Sequence, residues 1–292
     1  MGGHDSLDAW ARWLLHDRFG GDENAMRASM SFLESVRDRV LDNAAIQEGD
    51  VVLDVGCGDG LIGFGALPRV GPSGRVIFSD VSQDLLDHCA RAIEALGTGD
   101  RCTTIRTPAE TLEWISPASV DVITTRSVLI YVDDKRAAFD SFHRVLRPGG
   151  RVSVFEPINR RMNQMNRNDF LGFDIAGVKE LAKKVSEVIK RTSPSAMVDF
   201  DETDLFQHAL DAGFKDVQVT LELKSQELRG VMDWSNVKNT SPNPFAPTLA
   251  EAVAQAWTKD EAERFEAHLA KNSNRESQWA NQSASAFLRA AK

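Results

Sequence analysis

The chain has 292 residues, of which 42% are hydrophobic and 26% are charged, a balance typical of a folded protein rather than a disordered or fibrous one. Its 34 basic and 43 acidic residues give a net charge of −9, which argues against nucleic acid as the main partner. It lacks the roughly 18 consecutive apolar residues of a membrane span, and its first thirty residues are too acidic for a secretory signal. We therefore expect a cytoplasmic protein with no membrane partner.

The first 47 residues have the three-and-four spacing of amphipathic helices. The apolar positions that carry this spacing are Leu7, Trp10, Leu14, Met26, Met30, Leu33, Val36 and Val40. Gly20-Gly21-Asp22 separates the two helices. We expect residues 1–47 to form a helical lid ahead of a domain that spans residues 48–292.

From residue 51 onward, apolar strands alternate with helices. We predict strands at 51–55, 75–78, 102–105, 120–124, 152–155 and 217–223, with the tail 284–290 favoured as a strand over a helix. Ser82 and Asp134 have the character of helix N-caps, and Pro148-Gly149-Gly150 is expected to stop the second of these helices. This alternation predicts an α/β fold with a doubly wound, mostly parallel sheet.

Two segments interrupt this alternation and are predicted to be helical insertions, at about 157–200 and 230–278. The first begins with a cluster of asparagine and arginine side chains at 159–168. The second contains two capping-box patterns, Thr248 with Glu251 and Thr258 with Glu261, which predict two consecutive helices.

Three cysteines, Cys57, Cys89 and Cys102, form no C-x-x-C pair and have no histidine at metal-binding spacing. In a chain without a secretory signal, such a sparse and odd set is typical of reduced thiols. The sequence therefore predicts neither a disulfide framework nor a metal site.

The most informative motif joins the first strand to a loop with glycine at every second position. Residues 52–60 read VLDVGCGDG, so Gly56, Gly58 and Gly60 follow the buried strand directly. Glycine permits tight turns and lets a ligand approach main-chain atoms that a Cβ would shield. Asp80 ends the second strand about 20 residues later, where a carboxylate accepts hydrogen bonds from ribose hydroxyls. Together these features predict a nucleoside site.

The residues around this loop favour a positively charged ligand over a dinucleotide. A dinucleotide fingerprint requires a small residue at position 61, where this chain has Leu61. Asp54 and Asp59 flank the glycines, and their charge is unfavourable beside a pyrophosphate but favourable beside an ammonium and a sulfonium. S-adenosylmethionine is therefore favoured over NAD, and an NAD-dependent oxidoreductase is the alternative interpretation.

The sequence resembles the Rossmann-like S-adenosylmethionine-dependent methyltransferases. Four segments carry the resemblance in the order of that family, LDVGCGDG at 53–60, SDVS at 79–82, SVDVI at 119–123 and LRPGG at 146–150. The resemblance implies that Asp54 and the glycine loop hold the methionine portion of the cofactor, Asp80 the ribose and Val81 the adenine. It also implies that no metal is required.

One position departs from the family pattern. After the third strand the family often has an aspartate that accepts from the adenine amino group, whereas this chain has Pro108 between Thr107 and Ala109. Glu110 or a carbonyl is expected to replace it. The residues expected at the cofactor are then Asp54, Gly56, Cys57, Gly58, Asp80, Val81, Pro108, Ala109, Glu110, Thr125 and Arg126.

The acceptor pocket is expected just past the fourth and fifth strands. Tyr131, the single tyrosine of the chain, and Glu156 are the candidate catalytic residues. Substrate contacts are expected from Asn159, Trp10, Trp13 and Phe170, with Phe173, Trp234 and Phe245 adding aromatic surface.

These features predict methyl transfer from S-adenosylmethionine to a small, partly apolar organic acceptor, with S-adenosylhomocysteine as the product. In-line displacement gains most from alignment, and it requires a general base only if the nucleophile must lose a proton. A protein that binds the cofactor without transferring the methyl group is a further alternative.

Overall fold

The computed structural model describes residues 7–165, 169–170, 173–228, 234–272 and 279–292. Its strands are β1 Val51–Val55, β2 Arg75–Asp80, β3 Cys102–Arg106, β4 Val120–Arg126, β5 Leu146–Pro157, β6 Asp169–Phe170, β7 Phe173–Asp174, β8 Lys215–Leu228 and β9 Trp279–Ala291. Seven of them form one sheet in the order β3-β2-β1-β4-β5-β9-β8, and β6 and β7 form a separate ribbon. Strands β1 to β5 are parallel, whereas β9 is antiparallel to both β5 and β8.

The helices cover both faces of this sheet. They are α1 Ala9–Arg12, α2 Glu23–Asn43, α3 Leu61–Val70, α4 Gln83–Ala95, α5 Lys135–Val145, α6 Asn159–Gln164, α7 Lys179–Thr192, α8 Glu202–Asp211, α9 Trp234–Val237, α10 Leu249–Ala256 and α11 Lys259–Asn272. A π-helical turn, Trp13–Asp17, continues α1, and a 3₁₀ turn, Leu129–Tyr131, follows β4. Within the described ranges, no helix is both long and apolar enough to span a membrane.

The predicted doubly wound, mostly parallel sheet is confirmed, and so is the strand at the C-terminal tail. The predicted helix caps are also confirmed. The Ser82 hydroxyl accepts from the Leu85 N–H at 3.1 Å, and Asp134 accepts from the Ala137 N–H at 2.9 Å. Local sequence chemistry therefore sets these helix starts, as expected for residues whose side chains satisfy free N–H groups.

Both capping boxes of the second insertion are present. Thr248 and Glu251 exchange hydrogen bonds at the start of α10, and Thr258 and Glu261 do the same at the start of α11. The first insertion is helical only in part, because the β6–β7 ribbon lies between α6 and α7. Residues 166–168 of the predicted asparagine and arginine cluster lie outside the described residues.

The end of α5 differs from the prediction. The helix ends at Val145, and β5 begins at Leu146, so Pro148-Gly149-Gly150 lies within the strand. Leu146 pairs with Val120, and the register then shifts before Arg151 pairs with Val122. The extra residues form a bulge, which is a place where proline and glycine are tolerated in a sheet.

Helix α2 packs against the sheet through its C-terminal half. Val36, Val40 and Leu41 are buried with residues of β1, β2 and α3, whereas Met26 and Met30 are 44% and 37% exposed. The predicted apolar stripe of this helix is therefore buried only from Leu33 onward. On the other face of the sheet, α5 and α8 contribute to the second half of the core.

The insertions form an apolar cluster of their own. Helices α7, α10 and α11 pack around Phe265 and Trp257, together with Phe170. Leu249 belongs to this cluster and also lines the cavity described next, together with Thr240, Ser241 and Pro242.

Candidate active site

A cavity of about 580 Å³ lies at the carboxyl ends of the parallel strands. This volume is within the range of small-molecule pockets, and it lies where the strand order reverses between β1 and β4. Twelve of the predicted site residues line it, namely Gly56, Gly58, Asp80, Val81, Pro108, Ala109, Glu110, Arg126, Tyr131, Asn159, Trp10 and Trp13.

The glycine loop after β1 forms one wall of this cavity with its main chain. Gly56 has φ +64°, and a Cβ on it would lie 2.3 Å from Val128 Cγ2. Gly58 has φ +56°, and a Cβ there would meet Leu14 Cδ2 at 3.0 Å. The backbone angle favours glycine at both positions, and at Gly56 the close approach of Val128 also excludes a side chain.

Asp80 is fixed from two sides. It is 7% exposed, its Oδ2 accepts from the Gly58 N–H at 2.9 Å, and its Oδ1 accepts from the Ser82 N–H at 2.9 Å. Burial raises the pKa of this carboxyl, and the Ser82 and Gly58 N–H groups oppose that change. Each oxygen retains a lone pair, so the carboxylate fits two adjacent hydroxyls of a ribose.

The turn after β3 lies beside Asp80, since the Thr107 N–H donates to the Asp80 carbonyl at 3.0 Å. Val81 is 42% exposed and lines the cavity with Pro108. Among the described residues, neither the Ala109 N–H nor the Glu110 carboxylate has a hydrogen-bond partner. This part of the wall therefore offers an apolar surface, one hydrogen-bond donor (the Ala109 N–H) and one acceptor (the Glu110 carboxylate). An adenine ring can pack on such a surface and form hydrogen bonds with both groups.

Asp54 does not line the cavity. It is 1% exposed, its Oδ1 accepts from the Thr124 hydroxyl at 2.9 Å, and its Oδ2 accepts from the Gly63 N–H at 2.9 Å. Burial raises its pKa to about 7. The structure corrects the expected contact with the methionine portion, because Asp54 instead ties β1 to β4 and to the first turn of α3.

Glu156 is also outside the cavity wall, although it was expected to be catalytic. It is fully buried, its Oε1 accepts from the N–H groups of Val128 and Leu129, and its Oε2 accepts from that of Ile130. Burial raises its pKa to about 7. The carboxylate therefore holds the 3₁₀ turn that carries Tyr131, which makes Glu156 a structural support rather than a catalytic residue.

Two further residues expected at the cofactor lie behind the wall. The Cys57 thiol is buried, and Thr125 is fully buried within β4. Thr125 pairs with Val55 in the sheet, which places it inside the core while its neighbour Arg126 reaches the cavity.

The aromatic residues divide into two groups. Trp10, Trp13 and Tyr131 line the cavity, and Trp10 packs edge-on against Tyr131 with ring centroids 4.9 Å apart. Phe170 does not line it but packs against Phe265 in the apolar cluster of the insertions. The other expected aromatic residues also lie away from the wall, Phe173 and Trp234 against each other and Phe245 against Trp10.

Tyr131 lies among cationic side chains that the sequence analysis did not associate with it. Burial is the main cause that raises the pKa of its hydroxyl, and the nearby Arg18 and Arg126 oppose this effect. The residue is therefore a neutral phenol at physiological pH, able to donate a hydrogen bond but poorly suited to remove a proton.

Comparison with known proteins places this geometry in a family. A family model described as a methyltransferase domain matches residues 52–150. The ubiquinone/menaquinone biosynthesis C-methyltransferase UbiE of Klebsiella pneumoniae is 31% identical over 181 residues, which cover 61% of this chain and 71% of that protein. This chain belongs to the class I S-adenosylmethionine-dependent methyltransferases.

Other similar proteins are matched over between half and nearly all of their own length. Nocamycin O-methyltransferase of Saccharothrix syringae is 31% identical over 145 residues, which are half of either chain. Among solved structures, a putative sarcosine dimethylglycine methyltransferase of Galdieria sulphuraria shares the fold, with a TM-score of 0.53 and 15% identity over 97% of this chain and 95% of that one. The [4+2]-cyclase SpnF shares it as well, with a TM-score of 0.51 and 18% identity over 89% of this chain and 80% of that one.

Several wall residues of this methyltransferase are not apparent from the sequence. Arg18, Phe19 and Leu14 reach the cavity from the N-terminal segment, and Ser241 and Met197 reach it from the insertions. None of them belongs to a motif. The N-terminal helices and the insertions lie outside the strand–helix alternation of the sequence. This position predicts that they cover the site, but it does not predict which of their residues line the cavity.

Proposed function

We propose that this methyltransferase acts on a small organic acceptor with a partly apolar body. The observation that supports this most directly is the wall of the cavity beyond the glycine loop. It is formed largely by apolar side chains, among them Trp10, Trp13, Phe19, Leu14, Ile130 and Met197. A pocket of about 580 Å³ that also holds a nucleoside cofactor has room for a small molecule.

The residues that would bind the cofactor are those whose polar groups or surfaces in the cavity wall can still contact a ligand. Asp80 would hold the ribose, Val81 and Pro108 would pack on the adenine, and Ala109 and Glu110 would bind its polar edge. The main chain at Gly56 and Gly58 would lie along the methionine portion, since no Cβ intervenes. When bound there, S-adenosylmethionine supplies an electrophilic methyl group.

The side chains of the protein orient the acceptor and exclude water. Alignment of nucleophile, methyl group and sulfur accounts for up to roughly 7–11 kcal/mol of a barrier in well-oriented reactions. Trp10 and Trp13 would cover the reacting groups, with Trp13 held in place because its Nε1 donates to the Ser241 carbonyl at 2.9 Å. Tyr131 would donate its O–H to the acceptor rather than serve as the base.

A labelled-methyl assay tests this proposal. Purified protein is incubated with methyl-labelled S-adenosylmethionine and a panel of small phenols, amines and aromatic acids, and low-mass products are separated from protein and nucleic acid. We expect time-dependent label in at least one low-mass product. Cofactor binding without transfer to any panel member would instead favour the second candidate function, a protein that binds the cofactor but transfers no methyl group. The fold that this chain shares with a [4+2]-cyclase supports that candidate.

A further inference from the structure

Two arginine side chains line the cavity, Arg18 and Arg126. Arg18 follows the π-helical turn, and Arg126 is the last residue of β4. Among the described residues, neither guanidinium makes a hydrogen bond or an ion pair within 4.0 Å. Arg18 instead lies over two aromatic rings, 5.6 Å from the centroid of Trp13 and 5.2 Å from that of Phe19.

The two positive charges act on each other. Burial lowers the pKa of Arg18, and Arg126 lowers it further, whereas Asp59 and Tyr131 oppose the change. The Asp59 carboxylate accepts from the Leu61 N–H at 3.3 Å and is not ion-paired with Arg18. A partly buried guanidinium without an ion-paired carboxylate is unfavourable, and a second cation beside it adds to the cost.

Three hydrogen-bond donors thus lie near one another in the cavity wall, namely Arg18, Arg126 and the Tyr131 phenol. Both guanidinium groups lie close enough to Tyr131 to oppose the rise in its pKa. The acidic residues of the wall, Asp80 and Glu110, are the ones proposed to bind the nucleoside. An anion bound beside Arg18 and Arg126 would pair with guanidinium groups that make no ion pair within the part of the chain that the structure describes.

From this arrangement we infer that Arg18, Arg126 and Tyr131 form a carboxylate-binding site for the methyl acceptor. The inference rests on the proposed function and narrows its substrate class to an acid with an apolar or aromatic body. S-adenosylmethionine carries one carboxylate of its own, which is the other source of this chemistry. However, its single carboxylate carries one negative charge, whereas two guanidinium groups line the cavity, so a second anion can still be bound.

The experiment compares acids with their neutral amides and separates the two sources of carboxylate. Binding of 2-naphthoate and 2-naphthamide is measured by calorimetry, with and without saturating S-adenosylhomocysteine, for the wild type, R18M, R126M and R126K. Arg27→Met is the matched control, because Arg27 is exposed, lies outside the cavity wall and forms an ion pair with Glu23 on the surface of α2. Binding of S-adenosylhomocysteine is compared with that of 5′-methylthioadenosine, which lacks the amino-acid carboxylate.

We expect the wild type and R27M to prefer 2-naphthoate over 2-naphthamide by about ten-fold or more. R18M and R126M should lose this preference, and R126K should recover part of it. The assignment is wrong if the wild type shows no preference for the acid or if both methionine variants retain it. It is also wrong if the two methionine variants bind S-adenosylhomocysteine more weakly but bind 5′-methylthioadenosine and 2-naphthoate as the wild type does. The arginines would then bind the carboxylate of the cofactor.

Failure of the proposed function gives a different result. A wild type that binds neither S-adenosylhomocysteine nor 5′-methylthioadenosine contradicts the cofactor site. The naphthoate preference of the ligand-free protein, measured in the same series, still reports on the arginine site. The two failures are therefore distinguishable.

Discussion

At the scale of single residues, the cofactor site depends on a backbone position that tolerates no side chain. Gly56 and Gly97 have nearly the same φ, +64° and +65°, but a Cβ on Gly56 would meet Val128 at 2.3 Å, whereas one on Gly97 would meet nothing within 4 Å. The pair therefore separates the cost of the backbone angle from the cost of the clash.

We predict that Gly56→Ala weakens S-adenosylhomocysteine binding by more than about ten-fold, because the loop must move away from Val128. Gly97→Ala should cost about 1 kcal/mol of stability, as alanine in a left-handed conformation does, without changing this affinity. Titration calorimetry and urea unfolding measure the two effects. Equal affinities in the two variants would show that the loop does not contact the cofactor.

At the scale of elements, helix α1 is linked to the ribose carboxylate through one residue. Asp8 accepts from the N–H groups of Trp10 and Ala11 at 3.0 Å, and its Oδ2 accepts from the Ser82 hydroxyl at 2.7 Å. The Ser82 N–H in turn donates to Asp80. The helix that carries Trp10 and precedes Trp13 is thus fastened next to the nucleoside site.

We predict that Asp8→Ala loosens this helix, because it removes an N-cap worth about 1 kcal/mol together with the bond to Ser82. Trypsin should then cleave after Arg12 several-fold faster, and S-adenosylhomocysteine should protect the site less well than in the wild type. Asp134→Ala is the control, since Asp134 caps α5 in the same way but is not in the cavity wall. Unchanged cleavage after Arg12 in the Asp8 variant would contradict the link.

How far the sequence predicts this molecule depends on the element. The predicted parallel sheet was confirmed, because strand burial and turn chemistry depend on neighbouring residues. Helix α3 was not predicted, since Gly63, Gly65 and Pro68 give it little helix propensity. Gly63 is needed there because a Cβ would lie 2.3 Å from the Phe78 ring, a contact between distant segments.

The same reason explains the errors at the site. Glu156 and Asp54 stand at or near strand ends, where carboxylates often bind ligands, and their real partners are N–H groups brought close by folding. Arg18 belongs to no motif and becomes part of the cavity through the packing of the N-terminal segment. The sequence pattern therefore does not predict which charged side chains come close together when the chain folds.

At the scale of the whole molecule, these two buried carboxyls make stability depend on pH. Burial raises the pKa of Asp54 and of Glu156 to about 7, above the values near 4 of an unfolded chain. Between about pH 4 and pH 7 these two groups therefore bind more protons in the folded chain than in the unfolded chain. The contribution of both groups to the free energy of unfolding falls as the pH rises through this window.

We predict that Asp54→Asn and Glu156→Gln each reduce this loss of stability between about pH 5 and pH 7.5, because an amide does not titrate. Urea unfolding at several pH values measures the slope for each variant against the wild type. A slope identical to that of the wild type in both variants would mean that neither carboxyl titrates in this range.

The central claim is that Asp80 and the glycine loop hold S-adenosylmethionine in this cavity. Calorimetric titration of the wild type and of Asp80→Asn with S-adenosylhomocysteine tests it most directly. We predict saturable binding with one site per chain in the wild type, and an affinity lower by about ten-fold or more in the variant, which loses the charged acceptor of the ribose hydroxyls. No heat and no change in thermal midpoint for the wild type, or equal affinity in the two proteins, would contradict it.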